Sequence, residues 1–273
     1  MKRRFLNKSV IIVGASGGLG ESFVKAFSEN GARLLIAGRN EDRLNSITEN
    51  LEGDITKAVI DISDKDSVER FSIFADRWAE NIDIIVNVSG YDVRKSLNEH
   101  EYEEIKNSFD VNTIGAILLT KAFVPFMKDR DESNIVHIGG FVDGRLAFPY
   151  YSVDAASRAA LFTFIESINR EIKVEGGKTR VTFFCPSAAD TKAERPYHLL
   201  WKKMGTKVVS AEKVAEALMD TIEKKKLVSS MGGLATIGFA KLNSIFPKVA
   251  DKLLMNKYSE MIKNYLYGST RRN

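Results

Sequence analysis

Seven short runs of apolar and β-branched residues recur along the chain, at Ser9 to Val13, Arg33 to Ala37, Lys57 to Ile60, Ile82 to Val88, Asn134 to Ile138, Val181 to Cys185 and Leu227 to Ser229. Each has the length and composition of a strand buried on both faces. Between them, Leu19 to Asn30, Glu41 to Asn50, Asp64 to Glu80, Glu101 to Met127, Tyr151 to Glu175 and Ala211 to Lys225 repeat apolar residues at intervals of three and four, the period of a helix covering a core. Alternation of buried strands with crossover helices requires a parallel sheet and right-handed connections. The pattern therefore predicts an α/β fold: a single doubly wound, Rossmann-like parallel sheet of seven strands with helices on both faces. Functional residues are expected just beyond the carboxyl ends of the strands.

From Met231 the rhythm breaks. Gly232-Gly233 is followed by an apolar, lysine-rich helical pattern through Phe239, Ile245-Phe246-Pro247, Leu253-Leu254-Met255 and Tyr265-Leu266. We divide the chain into residues 1–230, the sheet domain with its active site, and residues 231–273, a helical C-terminal extension of the same domain. The extension is open to three roles, as packing, lid or subunit interface, and to peripheral contact with a membrane surface; its apolar runs are too short to span a bilayer.

Composition narrows the class. At 273 residues without a Pro/Gly/Ser-rich linker, one hydrophobic core is expected, and 44% hydrophobic with 28% charged residues is ordinary for a globular chain. Forty Lys and Arg against 36 Asp and Glu give +4 with the signs interspersed, which argues against nucleic-acid binding. The lone cysteine, Cys185, forms no intrachain disulfide, and the apolar run Val10 to Val13 is too short for a signal peptide, so a cytoplasmic location is expected. His100, His137 and His198 stand at no metal-ligand spacing, and no metal is expected.

The first strand runs into Gly14-Ala15-Ser16-Gly17-Gly18-Leu19-Gly20, which opens the first helix. Small residues there let the backbone approach a pyrophosphate, whose charge the helix N-terminus stabilises. At the end of the second strand, where an Asp or Glu would bind the ribose 2′-hydroxyl of NAD, the chain reads Gly38-Arg39-Asn40. A guanidinium pairs with a 2′-phosphate that a carboxylate would repel, so NADP(H) is expected over NAD(H).

On these motifs the chain resembles the short-chain dehydrogenase/reductase family, from Ser9 to about Ser229. The glycine turn is similar to the family's; Asp61-Ile62 resembles its adenine contact, Asn87-Val88-Ser89-Gly90 its Asn-Asn-Ala-Gly segment, and Asn112 its active-site asparagine. Pro186-Ser187-Ala188-Ala189-Asp190-Thr191 resembles its Pro-Gly segment, in which Thr191 would contact the nicotinamide. The resemblance implies hydride transfer to or from a small molecule and a homodimer or homotetramer paired through its long helices.

The catalytic set departs from the family. Ala156-Ser157-Arg158-Ala159-Ala160-Leu161 resembles its Ala-Ser-Lys-Ala-Ala-Leu anchor, and counted from there Arg158 replaces Lys, Asp154 replaces Tyr, and Gly139-Gly140 replaces Ser-Ser. An i,i+4 pair with Arg158 would hold Asp154 ionised and useless as a proton donor. In a second register Tyr151 precedes Arg158 by seven residues, nearly two turns, which is similar to the Tyr-x6-Lys of the enoyl-thioester reductase branch, with Phe141 as its upstream aromatic. In that reading Asn112 and Tyr151 polarise a carbonyl or conjugated enoyl substrate while Arg158 holds the ribose. Tyr197, Leu199, Leu200 and Trp201 suggest an apolar substrate, and serve equally as a packed helix. Packing for Tyr151 and a surface ion pair for Asp154 and Arg158 are the alternative, and with them a silent nucleotide-binding protein.

Overall fold

A computed structural model describes residues 3–140 and 146–268; Phe141 lies outside the described residues. Seven strands form one sheet: β1 (Ser9–Val13), β2 (Arg33–Gly38), β3 (Ile55–Val59), β4 (Ile84–Asn87), β5 (Asn134–Ile138), β6 (Arg180–Cys185) and β7 (Val228–Ser230). All pair in parallel, in the order β3-β2-β1-β4-β5-β6-β7. The order reverses between β1 and β4, and in sheets of this kind a ligand binds at that switch point, beyond the strands' carboxyl ends.

The β-branched runs read as strands because both faces are covered. Ile11, Leu35, Ile85, Ile135 and Val181 pack on one face against α3 (Lys65–Trp78), α5 (Gly115–Met127) and α6 (Ser152–Val174). Val10, Ile12, Leu34, Ile36 and Val86 pack on the other against α1 (Gly18–Glu29) and α8 (Ala211–Glu223). Burial of a large apolar side chain such as Phe23, Phe27 or Phe123 contributes about 1.5–3 kcal/mol. Helix starts follow their caps: Asn40 accepts from the Arg43 N–H ahead of α2 (Glu41–Thr48), Asp64 from Asp66 ahead of α3, and Ser210 from Lys213 ahead of α8.

The expected helix from Glu101 to Met127 is interrupted. It comprises α4 (Tyr102–Phe109), a π-helical turn over Asp110–Ile114, and α5. The widened turn carries Asn112 and Thr113 inward, an insertion that a 3.6-residue period does not reveal. By length and mean hydropathy, 1.3 over its best window, Tyr102–Met127 is apolar enough to cross a membrane. Its apolar positions Leu119, Phe123 and Met127 belong to the sheet's core instead.

After β6 come the short helix α7 (His198–Lys203) and α8, and after β7 two further helices, α9 (Leu234–Ile245) and α10 (Pro247–Gly268). Tyr258, Ile262 and Tyr265 turn one side of α10 toward Leu200, Trp201 and Tyr151. Ala240, with Ile237 and Phe239, seats α9 on Leu146 and Phe148. The extension thus packs over the segments around the start of α6 and the turn after β6.

Candidate active site

The glycine turn sits at the switch point and is tight for steric reasons. Gly14 has φ +86°, and a methyl group there would lie 2.7 Å from the Ser89 nitrogen. At Gly20 it would lie 2.3 Å from the Gly14 carbonyl oxygen, and at Gly18 2.7 Å from Thr191 Cβ. Gly17 caps α1 without a side chain, which leaves the first N–H groups of the helix open to an anion. Ser16 lies beside Gly38, and Leu19 packs into the α8-side core. Thr191, from the segment begun by Pro186, stands over Gly18.

Around this turn lie the other residues expected to bind the cofactor. Arg39 is exposed at the end of β2 next to Asn40. Asp61 accepts from the Ser63 N–H and hydroxyl at 3.0 and 2.6 Å, which shapes the turn carrying buried Ile62. Asn87 Oδ1 accepts from the Ser89 N–H at 3.1 Å. Asn87 Nδ2 donates to Nδ1 of buried His137 at 3.1 Å, while Thr120 Oγ1 donates to the Ala116 carbonyl and so receives the Nε2 proton. Burial pushes the His137 imidazole down to about 3, so the ring stays neutral and holds Asn87 in place.

Beside Ser89 lies a second, tightly bonded group. Arg158 Nη1 donates to the Ile138 carbonyl at 2.9 Å and Nε reaches Asp154 Oδ1 at 3.4 Å. The pair is buried, its side chains 12% and 11% exposed, which excludes a surface ion pair. Asn112 Nδ2 donates to Ser157 Oγ at 3.0 Å, the Tyr91 carbonyl at 2.9 Å and Asp154 Oδ1 at 3.4 Å; its Oδ1 accepts from the Tyr91 N–H at 2.9 Å. Expected to polarise the substrate, Asn112 is instead 1% exposed with its amide spent on these partners, a positioning arrangement.

Burial acts against the Asp154–Arg158 pair that was expected to hold the carboxyl ionised. Burial raises the Asp154 carboxyl above its ordinary range, and the long contact to Arg158 only partly offsets this. A raised pKa makes the carboxyl easier to protonate, and in its protonated form it is a donor.

The glycines replacing the family's serines are part of the same construction. A methyl group at Gly139 would meet the Phe183 ring at 2.2 Å, and one at Gly140 would sit 3.2 Å from Arg158 Cγ. At Gly90 it would lie 2.7 Å from Arg158 Nη2. Space that a shorter lysine would leave to side chains here holds a guanidinium and a phenyl ring. Gly139→Ser is therefore expected to lower stability by about 1–3 kcal/mol through overpacking, read as a drop in urea midpoint, with partial recovery in Gly139→Ser/Phe183→Leu. An unchanged midpoint would mean that Phe183 moves aside freely.

Tyr151, the residue before α6, packs among a different set of side chains. It is 3% exposed and packs with Phe148, Trp201 and Arg94, whose guanidinium carbon is 5.3 Å from the Tyr151 ring centroid and 4.1 Å from that of Tyr197. Burial raises the Tyr151 phenol. Arg94 pairs with Asp92 and Glu194, and Glu194 also accepts from Trp201 Nε1 at 2.8 Å. Burial alone would lower the Arg94 pKa, and these carboxylates raise it. Sequence reasoning missed Arg94 because its partners come from three separate segments. Leu200 and Trp201 are buried here and Leu199 is exposed. Among the described residues, no cluster of His, Cys, Asp and Glu is placed to hold a metal.

A glycine turn between β1 and α1, at the strand reversal of a doubly wound sheet, defines a nucleotide-binding protein. A family model described as short chain dehydrogenase matches residues 8–198, and the chain belongs to that family of oxidoreductases. An uncharacterized oxidoreductase of Staphylococcus aureus is 25% identical over 224 residues, covering 82% of this chain and 94% of the relative. A short-chain dehydrogenase/reductase from Burkholderia phymatum, crystallised with NAD, superposes with TM-score 0.79 at 20% identity over 90% of this chain and 96% of its own. One from Burkholderia cenocepacia, crystallised with NADP, gives 0.77 at 21% identity over 92% and 98%.

Proposed function

We propose that the chain is an NADP(H)-dependent reductase that transfers hydride to a carbonyl or conjugated enoyl group of an apolar small molecule, with Asp154 as proton donor. One observation carries this reading: a buried carboxyl with a raised pKa stands one helical turn before Arg158, hydrogen-bonded to Asn112, and Arg158 in turn lies against Gly90.

The residues fit a nicotinamide dinucleotide, since the cradle at Gly14, Gly18 and Gly20 is one that a Cβ would fill. Backbone N–H groups at the start of α1 bind the diphosphate, Arg39 pairs with the 2′-phosphate, Asp61 and Ile62 flank the adenine, and Thr191 contacts the carboxamide. Arg158, with Gly90 giving it room, binds the ribose hydroxyls. The bound nucleotide supplies hydride to the substrate carbon. Asp154 donates its proton to the oxygen on which negative charge develops, and Asn112 and Ser157 hold α6 and the Tyr91 backbone in the geometry this requires. The neighbours' bound NAD and NADP support the nucleotide class, and Arg39 supports the phosphorylated form.

Arg39→Ala is expected to weaken NADPH binding by about 10- to 100-fold, the loss of a charge-assisted contact worth about 1.5–3 kcal/mol, and to leave NADH binding unchanged. Fluorescence titration of both nucleotides checks this. Equal affinity of the wild type for NADH and NADPH would remove the Arg39 assignment.

The absence of the family's Ser, Tyr and Lys favours a second reading, a nucleotide-binding protein without turnover. NADPH absorbance followed against a panel of ketones and enoyl thioesters separates the two: tight binding with no oxidation of NADPH supports the silent protein. Pairing of copies through the long helices is supported by exposed Phe126 on α5 and Ile114 on the π-helical turn before it.

A further inference from the structure

The C-terminal extension leaves an apolar surface uncovered. Of α9, only Ala240 is buried, although the helix carries a single charge, Lys241. Its outward side bears Leu234, 89% exposed, and Ile245, 68% exposed; the link to α10 adds Phe246, 57% exposed. On α10, Val249 and Leu253 are exposed on the side away from buried Ala250, Leu254 and Ile262. Large apolar side chains gathered on one exposed hairpin mark an interaction surface rather than the scatter of a globular exterior.

Charge indicates what covers it. Lys241, Lys248 and Lys252 are exposed among these residues. Residues 231–273 contain seven Lys and Arg against two acids, so the extension alone exceeds the +4 of the whole chain and leaves the sheet domain with a slight negative charge. A basic, apolar helix surface of this kind lies in the plane of an anionic bilayer, with its aliphatic and aromatic side chains below the headgroups and its lysines among them. A protein partner would need no such segregation of the chain's positive charge.

We propose that α9 and α10 dock the protein peripherally on an anionic membrane, with Ile245-Phe246-Pro247 inserted at the tip. The opposite side of the hairpin seats on Phe148, Tyr151 and Trp201, so docking sets the segment before α6 close to the lipid surface. The docking itself is independent of the reductase reading and is tested without turnover.

The full-length protein is sedimented with phosphatidylcholine vesicles and with vesicles containing phosphatidylglycerol. Binding is expected to the anionic vesicles, at least about tenfold tighter than to the neutral ones, and to weaken with added salt. Ile245→Glu/Phe246→Glu is expected to reduce it by at least about tenfold, and Lys248→Gln/Lys252→Gln to reduce the anionic preference alone. Both pairs are exposed, and circular dichroism and NADPH titration verify that each variant is folded. No sedimentation with either vesicle overturns the proposal. So does an oligomer that Ile245→Glu/Phe246→Glu dissociates without any vesicle binding by the wild type, since a second copy then covers the surface. Failure of NADPH binding in all variants and the wild type bears on the reductase reading and leaves the vesicle result standing.

Discussion

Asp154→Asn is expected to lower kcat by about 10²- to 10⁴-fold, the usual contribution of a positioned general acid, with NADPH affinity unchanged. The amide keeps the size of the carboxyl and its contact to Asn112, so the loss isolates the proton. A pH profile gives an independent reading. Burial raises the Asp154 pKa, so wild-type kcat is expected to fall as pH rises through that value, and Asp154→Asn has no such limb.

Stability follows the same sign. The folded state holds this proton more tightly than the unfolded chain, so the contribution of Asp154 is full below the ordinary carboxylate range and is lost as pH rises through the raised value. Tyr151→Phe is the counterpart, expected to retain most of kcat while disturbing KM through the aromatic group around Arg94. If Tyr151→Phe abolishes turnover and Asp154→Asn does not, the donor is the phenol, as the seven-residue spacing to Arg158 first suggested.

The second large effect concerns the nucleotide. Gly20→Val places a Cβ 2.3 Å from the Gly14 carbonyl oxygen and 2.7 Å from that of Ala15, both backbone atoms unable to yield without moving the turn. Misplacing two N–H donors to a diphosphate, each worth about 1.5–3 kcal/mol, predicts a loss of at least about 100-fold in NADPH affinity by titration. Gly238→Ala serves as control: nothing lies within 4 Å of its Cβ position, and helix propensity favours alanine. Wild-type affinity in Gly20→Val would place the diphosphate elsewhere.

Much of the fold was legible in the chain because both faces of the sheet are covered. Runs such as Val10 to Val13 and Asn134 to Ile138 admit few readings once they alternate with amphipathic helices, and the observed strands begin and end within two residues of those expected. What escaped is what depends on distance in space. The π-helical turn at Asp110–Ile114 leaves the apolar period of its flanking helices intact. Burial of Asp154 and Arg158 follows from the packing of Tyr91 and Ile138 around them, so an i,i+4 spacing typical of an exposed pair described an enclosed one. Arg94 has one local partner, Asp92, while Glu194 and the rings of Tyr197 and Trp201 reach it from about a hundred residues away along the chain.

The fit of Gly90, Gly139 and Gly140 around Arg158 and Phe183 has a consequence for the order in which such a site can be rebuilt. Arg158→Lys alone leaves a void beside two glycines, and a serine at position 139 meets an aromatic ring before it meets a substrate. The steps Arg158→Lys and Gly139→Ser are each expected to be uphill when made alone, and replacement of ring, guanidinium and glycine together is expected to traverse the gap. The site is in this sense a local optimum, isolated by sterics from the constellation it resembles, and directed evolution toward ordinary ketone reduction should begin at Phe183 rather than at Asp154.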